Sequence, residues 1–371
     1  MAHLAIFRSV FVEQQKRLSE SDYAQLVALC QVIPGPASSQ AGLVLGYRFG
    51  GVSGALAAWL GFTLPSAILM GFGAYLWLGG HLLALDWVVM ALKLVAVGIV
   101  TQALIGMWSA LCLEREQRII ALLAAILFYL APNALTQVGL IACAFAIGAW
   151  RQRTTAEVSP VQSVDPLRSR TNQMMGLGLL AFVALAVIGF SLLPLDGALW
   201  TLMRGHFTSG ALVFGGGHVV LPLLQAEFVP PLGQAEFLAG YGLVQAMPGP
   251  LFTLASYLGV LLWPDAPILA ATLSVVMIFV PGVLLLAAAA YLGADSMPWL
   301  KPRLLYVNAV VVGLLLSVLV NPIFTESVTS GVTTGLAMVS LLMAVVWKRS
   351  PLEIVGVLLV LAWMCNLLEW V

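Results

Sequence analysis

The chain has 371 residues, of which 61% are hydrophobic and 9% charged, with a mean hydropathy of +1.02. Soluble domains carry roughly 25% charged residues, so the composition excludes a soluble globular protein and indicates an all-α polytopic membrane protein. Sixteen basic and sixteen acidic side chains cancel, which leaves no electrostatic case for a nucleic-acid partner.

In chain order, residues 1–12 read as the tail of a helix, followed by a polar patch over 13–22. An apolar arm from Tyr23 to Ile33 then meets Pro34-Gly35-Pro36, and a second arm runs from Ala37 to Tyr47 before Arg48. Proline lacks an amide proton and disfavours helix in the residue before it, while glycine tolerates backbone angles that others do not. Each arm is about 11 residues, short of the ~20 that a simple span needs, so this is a broken or re-entrant element. Longer apolar stretches follow: Gly51 to Leu78 with Pro65, Trp87 to Leu111 with Lys93, then Ile119 to Leu130 and Leu135 to Trp150, divided by Pro132-Asn133. The polar run 151–171 reads as a cytoplasmic linker, and 172–196 as one additional transmembrane helix. Residues 1–150 and 197–371 are then two repeats. The second comprises Phe207 to Phe228, the arms around Pro248-Gly249-Pro250, Ile268 to Leu292 with Pro281, Leu304 to Val320, Gly331 to Trp347 and Leu352 to Val371.

The repeat keeps its register. Pro34 and Pro248 lie 214 residues apart, as do Asp22 and Glu236, and Pro65 and Pro281 lie 216 apart. Loop charge inverts between the halves. Arg115 and Arg118 mark one loop of the first, while Lys301, Arg303, Lys348 and Arg349 mark non-equivalent loops of the second. Basic loops stay cytoplasmic, so the repeats are expected to cross the membrane in opposite senses, with helices broken near the pseudo-symmetry axis, as in secondary transporters.

Broken helices in hydrocarbon are tolerated where protein or a watery cavity satisfies the backbone, which makes both breaks candidate binding features. Around the first, Pro34, Gly35, Pro36, Ser38 and Gln40 offer hydroxyl and amide donors; the second supplies Pro248, Gly249, Pro250 and Thr253. The run Gly215-Gly216-Gly217-His218 exposes backbone amides that suit an anion, although close helix packing through small residues reads equally simply. Arg48, Lys93, Arg204 and His206 are candidates for anion steering or coupling, against roles as interfacial anchors. Glu227, Glu236, Asp22 and Glu20 read as solvated turn or cap residues, and Cys30, Cys112, Cys143 and Cys365 as buried small apolar ones. No catalytic constellation, metal-ligand spacing or cofactor motif stands out, so no enzyme, metal or cofactor is expected.

Tyr23 to Gln40, Gly54 to Ser66, Phe214 to Pro222 and Gln245 to Pro250 resemble the chromate ion transporter family in its two-domain form, and the likeness covers essentially the whole chain. The resemblance implies two homologous halves of opposite topology in the bacterial inner membrane, and export of chromate from the cytoplasm. Its alternative is another tetrahedral oxyanion such as sulfate; the bilayer and a second copy of the chain are the other candidate partners. In that family a helix carrying Phe-Gly-Gly-Pro precedes the segment seen here as Ala2-His3-Leu4, so a start upstream of Met1 is expected.

Overall fold

The computed structural model describes residues 2–80, 86–154, 170–193, 195–214, 217–292 and 300–368, and among these it is helical with no strand. Helix α1 (Ala2–Arg8) opens into a wider turn at Ser9–Gln14. Helix α2 (Glu20–Val32) begins where the Ser19 hydroxyl accepts the Asp22 amide, a side-chain N-cap. Pro34-Gly35-Pro36 ends it, with Gly35 at φ +129°. Helix α3 (Ala37–Leu78) is divided by non-helical Gly50 and Gly51 into arms 37–49 and 52–78. The arms fold back on each other, because Gly46 abuts the Gly54 carbonyl and Ala58 across the turn. A side chain at Gly46 would occupy that contact.

Helices α4 (Asp86–Leu111), α5 (Arg115–Leu130) and α6 (Ala134–Thr154) complete the first half, and α7 (Arg170–Leu192) leads to the second. Most of the expected linker, 155–169, lies outside the described residues. The second half holds α8 (Ala198–Leu212), α9 (Val220–Leu232), α10 (Gln234–Gln245), α11 (Leu254–Leu262), α12 (Pro267–Leu292) and α13 (Leu300–Val318). A π turn at Leu319–Phe324 leads to the short α14 (Thr325–Ser327), then α15 (Gly331–Leu341) and α16 (Pro351–Leu367). Among the described residues, five helices are long and apolar enough to cross a membrane: Ala37–Leu78, Asp86–Leu111, Asn172–Phe190, Pro267–Leu292 and Arg303–Ser327. Large side chains such as Ile68, Phe72, Leu130 and Leu185 stay exposed on the outside, whereas Phe128, Phe228, Phe237, Tyr241, Phe252 and Tyr257 fill the interior. That is the distribution a lipid solvent allows. Of the cysteines expected inside, Cys30 and Cys112 are buried, but Cys143 is exposed and Cys365 partly so; α6 turns that face of its helix outward.

The halves exchange helices. Helix α4 packs on α15 and α16, and its counterpart α13 packs on α5 and α6. The closest approaches are glycine against backbone: Gly98 meets the Ser340 carbonyl, and Gly313 the Ala121 carbonyl. Directions follow from the contacts. The Tyr306 hydroxyl donates to Glu116 (3.3 Å) and Gly313 meets Ala121 farther along, so α13 runs with α5. Likewise the Ser327 hydroxyl donates to the Lys93 carbonyl (3.3 Å) and Gly98 meets Ser340 farther on, so α15 runs with α4.

These approaches predict the cost of a single methyl. Gly313→Ala places a Cβ against the Ala121 carbonyl, and the overpacking is expected to lower stability by about 1–3 kcal/mol. Thermal melting of the purified protein reads it, with Gly335→Ala as the control. Nothing lies within 4 Å of a Cβ at Gly335, so its melting temperature should not fall.

Candidate functional site

The first break is held by the other half of the chain. The Gly35 amide donates to the Val213 carbonyl at the end of α8 (2.8 Å). Gln40, one turn into α3, donates its Nε2 to the Pro34 carbonyl (2.8 Å) and reaches the Gly282 carbonyl in α12 (3.4 Å). Gly282 directly follows Pro281, whose missing amide proton removes one bond from the ladder of α12. A Cβ at Gly35 would lie 2.6 Å from Gln40 Nε2 and 3.2 Å from the Gly282 Cα, so backbone meets backbone here.

The second break mirrors this arrangement. Gly249 has φ +147°, and a Cβ there would run into the Ser66 side chain and lie 3.3 Å from the Phe62 carbonyl. Ser66 directly follows Pro65 in α3. Each break therefore seats on the residue after the helix proline of the opposite half. Thr253 Oγ1 donates to the Pro250 carbonyl (2.9 Å), and Ser256 Oγ to the Ala67 carbonyl (2.8 Å), tying α11 to α3 just past Pro65.

The glycine stretch completes the convergence. Gly215 and Gly216 lie outside the described residues, but a Cβ at Gly217 would meet Leu251, just past Pro250, at 3.1 Å. Val213, before the stretch, accepts the Gly35 amide. His218 Nδ1 pairs with the Tyr241 hydroxyl of α10 at 2.8 Å. Helix α10 is wedged in place: Gly242 abuts the Leu92 carbonyl of α4, and Gly240 the Tyr257 ring of α11.

The remaining candidates lie away from this junction. Arg48 pairs with Asp22 (3.6 Å) at an exposed edge. Lys93 follows Leu92, two turns into α4. His206 is fully buried, its Nδ1 against the Leu202 carbonyl (2.8 Å), its ring on Phe228 and its Nε2 without a partner. Arg204 binds Glu227 at 3.1 Å. Glu227 is 8% exposed, so it is no solvated cap residue as the sequence suggested; α8 and α9 pack closely enough at Gly205 to bury it, while Arg204 stays partly exposed.

Two buried donors are without partners: Ser39 Oγ, among the hydroxyls that the sequence puts beside the first break, and Gln245 Nε2 before the second. Gln245 was missed as a site residue, and the recurrence of glutamine in the motif as Gln31 and Gln245 was the available signal. Ser66 was likewise quoted only as sequence. A cavity of about 650 Å³ opens beside the first break, lined by Ser39, Gly42, Gly46 and Phe62, with Gln15 and Arg17 also contributing.

The family model described as Chromate transporter matches residues 1–149 and 200–365. The chain is 23% identical over 292 residues to an uncharacterized transporter of Methanocaldococcus jannaschii, covering 76% of this chain and 69% of that protein. It is 24% identical over 278 residues to a chromate transport protein of Pseudomonas aeruginosa, covering 70% and 61%. With a probable chromate transport protein of Synechococcus elongatus it shares 26% over 294 residues, covering 74% and 67%. The alignments thus span between 61% and 69% of these relatives' own lengths. No solved structure matches.

Gln40→Leu removes the donor for the Pro34 and Gly282 carbonyls. Leaving buried acceptors unpaired costs about 1–3 kcal/mol, and the melting temperature is expected to fall accordingly. Ser38→Ala, at a partly exposed position, should leave it unchanged.

Proposed function

This chain belongs to the chromate transporter family, and we propose that it exports chromate from the cytoplasm by alternating access, with the two proline-glycine breaks and the glycine stretch forming the substrate site. One observation carries this reading: three interrupted segments, from both halves, meet at Gly35, Val213, Gly217 and Leu251. Interrupted helices in a bilayer expose backbone amides only where a solute or the protein takes them up.

In this reading the repeats are inverted, as the inverted placement of basic loops suggests. Chromate enters the cavity beside the first break from the cytoplasm, drawn by the Arg17 guanidinium, and the Ser39 hydroxyl donates to it. At the junction Gln245 Nε2, Ser38 and the amides around Gly217 and His218 replace water around the oxyanion. Gln40 and Thr253 act differently from the donors expected of them. Their groups hold the Pro34 and Pro250 carbonyls, and so they keep the breaks in shape. The dianion leaves a negative interior downhill, at about 2.3 kcal/mol per charge per 100 mV. The membrane in this reading is the bacterial inner membrane, with the linker on its cytoplasmic side.

Inside-out vesicles loaded with the protein test this. Labelled chromate should accumulate in the lumen, and more so under an imposed lumen-positive potential; uptake indifferent to potential would overturn electrogenic export. Excess sulfate in the same assay reports selectivity. Gln245→Leu and Ser39→Ala are expected to raise the KM for chromate about 10-fold or more, the scale of one lost charge-assisted hydrogen bond, with normal melting temperatures.

A further inference from the structure

We propose that a second, smaller cavity, remote from the breaks, is a binding site for a monovalent alkali cation. The cavity is about 150 Å³ and is lined by Gln225, Gln234, Ser317 and Asn321 together with the end of α5 at Phe128 and Tyr129. It lies where both halves meet: α5 comes from the first, and α9, α10 and α13 from the second.

Two side-chain acceptors of its lining are unsatisfied, while Asn321 Oδ1 accepts from the Thr325 hydroxyl (3.2 Å). Gln225 is 8% exposed, and its Oε1 is buried without a partner; Gln234 Oε1 is buried and unpartnered too. Pro230 lines the cavity inside α9. Lacking an amide proton, it cannot bond the carbonyl four residues earlier, which is that of Ala226, itself a lining residue. Pro322 removes another bond where the backbone leaves helical geometry at Asn321, next to Ser317. Helix α5 ends at Leu130, and the last carbonyls of a helix carry partial negative charge without intrahelical partners.

The chemistry of this set selects the ligand. No basic side chain lines the cavity, and an anion would meet oxygen lone pairs and the negative end of α5. No carboxylate lines it either, whereas calcium and magnesium sites are built largely on carboxylates. The nearest acid on α9, Glu227, is turned to Arg204 of α8. Neutral carbonyl, amide and hydroxyl oxygens in an unwound part of a membrane helix are the ligands that suit sodium or potassium. The competing occupant is water, which also bridges unpaired buried groups.

The test needs no chromate and no transport, so its outcome is separate from that of the export reading. The purified full chain is melted in sodium, potassium and choline chloride at equal ionic strength. Sodium or potassium is expected to raise the melting temperature by about 5 °C or more, saturably, and Gln225→Leu with Gln234→Leu to abolish the difference. Radioactive sodium in equilibrium dialysis against the wild-type chain gives a second measure that no folding defect can confound. Binding near one ion per chain, undisturbed by choline, is expected. Equal melting in all three salts, no saturable sodium or potassium binding, or a cation-specific shift that survives both substitutions would overturn the proposal and leave water as the occupant.

Discussion

A peptide group without a partner is more costly in hydrocarbon than anywhere else in a protein, and this chain interrupts its backbone ladder with a Pro-Gly-Pro run twice. The structure meets that constraint across the halves. Gly35 gives its amide to Val213, and Pro34 and Gly282 share the Gln40 side chain. Gly249 rests on Ser66, while Thr253 takes the Pro250 carbonyl. Each break thus combines a side chain of its own half, Gln40 or Thr253, with a seat on a helix of the other half.

The same reciprocity extends outward. Helix α4 lies among helices of the second half and α13 among helices of the first, so the two parts of the chain are interlaced. Motion in such a body is restricted. Two lobes cannot swing apart without stripping α4 from α15 and α16, which would expose small residues shaped for close contact. At Gly98 the Ser340 hydroxyl and carbonyl, and at Gly313 the Ala121 carbonyl and the Ala124 methyl, press where a Cβ would stand. Packing through small residues is the usual way membrane helices approach closely.

Much of this was legible beforehand, for a definite reason. Glycine and proline write local dihedral demands directly into the chain, so both breaks, the helix prolines Pro65 and Pro281 and the constant spacing of the repeats could be read. The turn between the arms of α3 was visible only as a boundary, although Gly50 and Gly51 mark it. What could not be read was partnership. Gln40 and Gly282 are 242 residues apart, and nothing local says that the amide of one closes on the carbonyl of the other. Gln40 looked like a donor awaiting an anion for that reason. Glu227 looked solvated because a lone carboxylate in sequence usually is; its partner Arg204 reaches it through the packing of α8 on α9. Local preference is sequence-encoded at short range, and satisfaction of polar groups is a property of the packed whole.

The symmetry is also incomplete, and the difference has a direction. Where the first break has Gln40 the second has Leu254, and where the second seats on Ser66 the first seats on Gly282. Helix α2 shows Gln25 and Gln31 at the surface and packs into a small separate cluster with Leu18, Tyr23 and Leu26. Helix α10 is enclosed, with Phe237, Leu238 and Tyr241 in the main core. Local opening is easiest where few apolar contacts must be broken. The first break is therefore flanked by the smaller apolar cluster, and there the Gln40 side chain adds a polar clamp on the Pro34 and Gly282 carbonyls.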